Sequence, residues 1–391
     1  MFCYDNINIS TSNFIEQRGS FTPAKVQSGT FGILYTLRDA SPECLELAPI
    51  ISRYNVCKGL KMSDLCLSSE QLKTLHRQFS IVVVKILCKH SKPFEHYASD
   101  PALQPTPRRP LAAGYKTKQF PLRTTTIDES SIHGNLAVHE DAYLGQLGQD
   151  SKTLYQRAIP TINDQSTNAR IRGGQVSRIC DVNSWARREI FQLGFGLFHL
   201  CLNLTWALLH VHRGSLQQTG SLTFFFSLME KTRLGAEHPD YHTLLAALTQ
   251  ILHGVIMNGW RTEVGDLDDF AKTKPTPQSL LRHAENVLTN CATPVETWRK
   301  GTKARDPPIP PYPNAINPAN DLMHQNILLL TRDILYVMEL TQAISQGDFG
   351  RVEDLLPTLV KIFRGAGSNN YCSEILHFLV NLKHIWTPEF A

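Results

Sequence analysis

A helix-rich mixed α/β fold, with a small mixed sheet formed by the N-terminal half and a large helical region after it, is what the sequence predicts. Three observations predict it. The chain opens on β-forming runs, Phe2-Cys3-Tyr4 with Ile7 and Ile9, then Gly29 to Leu37. A short apolar run, Ala158 to Ile162, ends in Asn163-Asp164-Gln165. From Trp185 to Ile256, and again in later segments, apolar residues recur at helical spacing.

Taken in order, the polar stretch from Ser10 to Ser20 predicts a loop between the first two strands. Ser69-Glu70-Gln71-Leu72 predicts a helix start with a capping serine, and Leu72, Leu75, Phe79, Val82, Val83 and Ile86 give it an apolar face. Six prolines between Lys92 and Pro121 predict a surface loop or linker. Phe120 to Ile127 predicts a further strand, and Glu140 to Leu147 a short helix. The uncharged run Ile190 to Val211 is long enough to span a bilayer, but Gln192, His199, Asn203 and His210 are costly in lipid, so it predicts a buried helix instead. Asp306 to Pro313 predicts a polyproline-type connector. The segments are therefore a strand-rich start over 1–60, a helix and proline-rich loop over 61–118, strands ending at Asp164 over 119–180, a helical region over 181–305, a connector over 306–320 and C-terminal helices over 321–391. All belong to one domain.

Composition narrows the function. Hydrophobic content of 42% is that of a globular chain, and a net charge of +4 is too small to announce a nucleic-acid binder by itself. Nine scattered cysteines form no C-x-x-C pair, which argues against a zinc ribbon and for reduced thiols in the nucleus or cytoplasm. Phosphate-loop and nucleophile-elbow motifs are absent.

The chemistry worth testing lies with the acids. Asp5 and Asp164 each follow a β-rich run. Neighbouring strands lie about 4.8 Å apart, so two acids at neighbouring strand ends can share Mg2+ or Mn2+, the hard ions that carboxylates prefer. A third acid on a later helix completes an RNase H-like triad, and Glu374, after Gly365-Ala366-Gly367, is the candidate, with Asp321 and Asp333 as rivals. The plainer alternative makes Asp5-Asn6 a turn and Asp164 a helix cap. Arg170, Arg172 and Arg178 open a basic stretch that can track phosphates, as can Arg299-Lys300 and Lys303-Ala304-Arg305; the alternative is a solvated face. His210-Val211-His212 and the pair His238 and His242 lack the glutamate of a zinc protease, and structural histidine is the expectation.

At these residues the chain resembles the fungal family of unknown function DUF6589, abundant in mushroom-forming fungi. The segments that carry the resemblance are Phe2 to Asn8, Asn163 to Gly173, Leu193 to His199, Arg233-Leu234-Gly235 with Pro239 to His242, and Phe363 to Gly367 with Asn370-Tyr371. Family members often have a glycine where this chain has Asn163, and commonly continue past a segment like Trp386-Thr387-Pro388-Glu389, so a chain truncated at both ends is expected. From the acid pattern and the repetitive distribution of the family we read an origin in mobile-element transposases, with metal-dependent nuclease or strand-transfer chemistry, Asp5, Asp164 and Glu374 holding metal, and DNA as the partner. The competing expectation is a non-catalytic helical interaction protein, a decayed relative of such an enzyme.

Overall fold

The computed structural model describes residues 1–11, 25–38, 40–293 and 321–391. The expected connector over 306–320 and the basic residues from Arg299 to Arg305 lie outside the described residues. Five strands are present among the described residues: β1 (Phe2–Thr11), β2 (Lys25–Tyr35), β3 (Gln119–Pro121), β4 (Ile159–Asn163) and β5 (Phe191–Phe195). The helices are α1 (Leu47–Val56), α2 (Ser69–His90), α3 (Ile132–Glu140), α4 (Ser151–Leu154), α5 (Gln165–Ser177), α6 (Leu197–His212) and α7 (Leu222–Leu228). They continue as α8 (Tyr241–Val264), α9 (Leu267–Lys272), α10 (Pro277–Ala292), α11 (Leu322–Ser345), α12 (Phe349–Gly365) and α13 (Asn369–Val380). The mixed α/β expectation, a small sheet with a large helical region, is what folds.

The described chain forms two compact units. One comprises Met1–Met62, Ala112–Leu200 and Asn369–Ala391; the other comprises Ser63–Leu111 and Cys201–Ser368. The first holds the whole sheet, in the order β3-β2-β1-β4-β5. β1 and β2 pair antiparallel from Phe2↔Leu34 to Thr11↔Lys25, and β3 pairs antiparallel with β2. β1 pairs parallel with β4 at Phe2↔Thr161, and β4 runs parallel with β5 from Ile159↔Phe191 to Asn163↔Phe195.

Side-chain alternation gives this sheet two different faces. Phe2 and Tyr4 are buried on one face with His139, Tyr143, Trp185 and Phe191, an aromatic cluster in which the His139 ring stacks on Phe191 with centroids 3.8 Å apart. Ile162 and Gly194 lie on the other face, against Phe378 of α13. A Cβ on Gly194 would fall 2.5 Å from Ile162 Cδ1 and 3.6 Å from the Phe378 ring, so a larger residue there would require the Ile162 side chain to move.

The structure corrects three expectations here. Ile190 to Val211 is a strand and then a helix, β5 followed by α6. A parallel strand buried on both faces reads as a continuous apolar run, which periodicity cannot tell from a buried helix. Phe120 to Ile127 is strand only as far as Pro121, with one isolated bridge from Thr125 to Thr30. The segment after Glu140 is a π-helical turn, Asp141–Gln146, that extends α3. No described helix is long and apolar enough to cross a membrane.

In the second unit, α2, α8, α10, α11 and α12 pack around one core. α2 starts with a capping box: Ser68, one residue before the expected Ser69, accepts from Gln71 N–H, and the Gln71 side chain accepts from Ser68 N–H. Trp260 is fully buried and donates its indole N–H to the Val83 carbonyl at 3.1 Å. The proline-rich segment is not merely surface, because Phe94 and Leu103 within it are buried in this core.

Candidate active site where β4 ends beside β1

β1 and β4 are parallel neighbours that the chain leaves in opposite directions. After β1 it turns back into β2 on one side, and after β4 it passes through α5 to β5 on the other. Asp5 is the fourth residue of the ten-residue β1, neither at a strand end nor in a turn as the sequence suggested, whereas Asp164 directly follows the last residue of β4. The two acids therefore meet where β4 stops beside the body of β1, at a switch in strand connection of the kind where open α/β sheets bind ligands. Asp5 and Asp164 each lie three residues beyond the one paired position of these strands, Phe2↔Thr161. Past this pair the main-chain ladder gives way to a side chain, as Tyr4 N–H donates to Asn163 Oδ1 at 3.3 Å. The Asn163 side chain thus bridges the two strands.

Each acid commits one oxygen to backbone. Asp5 is exposed, and its Oδ1 accepts from Asn6 N–H at 2.8 Å. Asp164 is the N-cap of α5, accepting from Thr167 N–H at 2.6 Å, so the capping alternative describes it well. Neither second oxygen has a hydrogen bond among the described residues.

A third carboxylate, missed in the sequence, stands with them. Glu129 is 1% exposed, and its two oxygens accept from the Thr167 hydroxyl at 3.2 and 3.3 Å. Burial raises its pKa to about 7, with further upward contributions from the Asp5 and Asp164 carboxylates, against opposing effects of the Thr167 hydrogen bond and Arg170. Two features fix its backbone. Asn135 Nδ2 donates to the Glu129 carbonyl at 2.6 Å, and Gly134 lets α3 approach so closely that a Cβ there would fall 1.8 Å from Asp128 O. The only sequence signal was an acid in Asp128-Glu129-Ser130-Ser131, just before a capped helix, and that pattern is common on surfaces.

Glu374 lies on α13, 2% exposed, and its carboxylate is engaged by three donors. Arg172 grips both oxygens, Nη1 to Oε1 at 3.2 Å and Nη2 to Oε2 at 2.5 Å, and Asn168 Nδ2 donates to Oε1 at 2.8 Å. Asn168 also accepts from Asn163 Nδ2 and donates to the Gly194 carbonyl. A continuous buried chain of polar contacts therefore runs from the Tyr4 backbone through Asn163 and Asn168 to Glu374 and Arg172. Asp164 and Glu374 both help burial to hold the Tyr371 phenol above its ordinary pKa. Asp321 caps α11, and Asp333 pairs with His212 at 2.9 Å and with Arg332, so both rivals belong to the second unit.

Most of the basic stretch is spent within the protein. Arg172 pairs with Glu374, Arg178 with Asp181 at 2.8 Å, Arg187 with Glu189 at 2.9 Å, and the buried Arg188 with Glu140 at 2.6 Å. Arg170 has no ion-pair partner among the described residues and feels the carboxylate group, since it opposes the rise of the Glu129 pKa. The histidines follow the structural expectation: His238 stands edge-on to Trp206, and His212 pairs with Asp333.

Among the described residues no three His, Cys, Asp or Glu side chains stand close enough to form a ready-made metal cage. The donor set suits Mg2+ without one, because that ion keeps several waters and is commonly bound by one or two carboxylates together with substrate phosphates. A cleft of about 630 Å3, lined by Leu47, Ile51, Tyr155 and Arg157 among others, lies elsewhere on this unit and contains none of the acids.

No curated protein and no solved structure matches the chain. The model of DUF6589, a family of unknown function, matches residues 58–391, a span that includes Glu129, Asp164, Arg172 and Glu374 and begins beyond Asp5. With the match extending over most of its length, the chain belongs to the DUF6589 family.

Proposed function

We propose that the carboxylate group where β4 ends beside β1 is a metal-dependent phosphoryl-transfer centre of RNase H-like, transposase-derived type, acting on nucleic acid. The observation that carries it is the switch point. Asp5 within β1 and Asp164 just past β4 follow the pair Phe2↔Thr161 by the same number of residues, and the buried Glu129 carboxylate feels both. Three antiparallel strands followed by two parallel ones, with β1 central, are also the arrangement expected of an RNase H-like sheet.

Asp5 and Asp164 are the residues we assign to Mg2+ or Mn2+, through the oxygens that their backbone donors leave unused. Bound there, the ion neutralises charge on a phosphate and lowers the pKa of its own water. Glu129 takes the place beside them that the sequence suggested for Glu374. Glu374, held by Arg172 and Asn168, acts instead as a positioning residue that fixes the start of α5 and hence the Asp164 cap. Arg170 is the phosphate contact of choice; Arg178, paired with Asp181, is peripheral. The free cysteines are consistent with an intracellular protein, nuclear or cytoplasmic.

Calorimetric titration with Mn2+ tests this reading. Heat of binding is expected from the wild type, and its loss from Asp164→Asn, which keeps the cap but removes the charge. Equal heats, or metal-dependent strand cleavage that survives Asp164→Asn, would end it. The second reading, a non-catalytic interaction protein, is favoured by the absence of a ready-made three-ligand group among the described residues, and predicts no heat in either protein.

A further inference from the structure

We infer that this site takes a single-stranded nucleic acid, with Phe31 stacking a base beside the carboxylates; this rests on reading the carboxylate group as a nucleic-acid phosphoryl-transfer centre. Asp5 on β1 is the direct cross-strand partner of Phe31 on β2. Directly opposed residues of an antiparallel pair project from the same face, with Cβ atoms about 4.5–5.5 Å apart. The Phe31 ring therefore stands on the sheet face that carries Asp5. It is 38% exposed, and Ile7, two residues along the same face, is 37% exposed.

This exposure is local. Across β4 and β5 the same face is covered by α13, where Phe378 meets Gly194. Over β1 and β2 no described aromatic ring pairs with Phe31. Among the described residues an aromatic platform is thus left open on the strand next to the one that bears an acid, on the face that carries Asp5.

Stacked bases in a duplex hide their faces, whereas an unpaired base offers one to an aromatic side chain whatever its sequence. Arg170, without an ion-pair partner among the described residues, supplies positive charge near the carboxylates for the backbone of the same strand. The other arginines of this run, Arg172, Arg178, Arg187 and Arg188, are engaged by protein carboxylates.

The full chain, titrated against short labelled oligonucleotides by fluorescence anisotropy in Ca2+, tests the inference. Single strands are expected to bind more tightly than the duplex of the same sequence, with parallel DNA and RNA arms identifying the sugar preferred. Phe31→Ala is expected to lose about 5- to 100-fold in single-strand affinity, in line with the strength of base–aromatic stacking. Phe31→Trp is expected to retain binding, with its fluorescence quenched by the oligonucleotide. Equal affinity for single strand and duplex, or wild-type binding by Phe31→Ala, overturns the inference. If Mn2+ binding remains intact and dependent on Asp164 in that case, only the base platform falls; if Mn2+ does not bind the wild type, the site reading itself falls.

Discussion

Glu374 separates a metal ligand from a structural anchor, and its environment fixes what each role predicts. The Glu374 carboxylate is 2% exposed, whereas the Arg172 side chain is 24% exposed. Removing one partner of a buried ion pair costs about 3–5 kcal/mol, chiefly because the other charge is stranded. Glu374→Ala strands Arg172, which reaches water, so its cost belongs at the lower end, about 3 kcal/mol. Arg172→Met strands Glu374, which keeps only the Asn168 donor, so its cost belongs at the upper end, about 5 kcal/mol. Thermal unfolding of the sheet-bearing unit should fall by about 2–4 °C per kcal/mol, with Arg172→Met lower than Glu374→Ala. The double variant Glu374→Leu with Arg172→Met should recover most of the loss, because neither charge remains buried. If both single variants unfold within about 1 kcal/mol of the wild type, and Glu374→Ala instead abolishes Mn2+ binding, then Glu374 is a ligand and the anchoring argument is wrong.

Three further outcomes are expected. Asp164→Asn should leave stability within a few tenths of a kcal/mol, while Asp164→Ala should cost about 1 kcal/mol in urea denaturation, because asparagine caps as well as aspartate and alanine does not cap. Gly134→Ala should destabilise the sheet-bearing unit by about 1–3 kcal/mol, since its Cβ must push Asp128 O away and displace Glu129; a wild-type unfolding midpoint would contradict the close approach. In the second unit His253, half-buried beside His90 and Lys89, has its pKa lowered to about 4, mainly by burial. Its neutral form is the one the fold prefers, so its contribution is complete above the unfolded value of about 6.5 and is lost as pH falls towards 4. His253→Gln should flatten that part of the stability profile, and an unchanged slope would assign the acid sensitivity to other groups.

The parts of this protein written in local patterns were legible. β1 announces itself by its β-rich opening, though it runs on past Asp5 to Thr11, β4 is an apolar run that ends just before Asp164, and the start of α2 is marked by serines and Gln71 within one turn. Asp164 as a cap is likewise a property of a few consecutive residues. β5 was not legible, because a strand buried on both faces has no alternation to betray it. Glu129 was not legible either: its burial depends on Gly134, Asn135 and Thr167, and its pKa on Asp5 and Asp164.

By itself the sequence determined that strands and acids occur together in the first half and that helices dominate afterwards, because those facts depend on residues close in the chain. Only the tertiary structure decided that β1 lies beside β4, that Glu129 feels the carboxylates of Asp5 and Asp164, and that Arg172 belongs to Glu374. Those relations join residues far apart in sequence. A buried charge takes whichever partner folding brings within reach, and no local pattern records that choice.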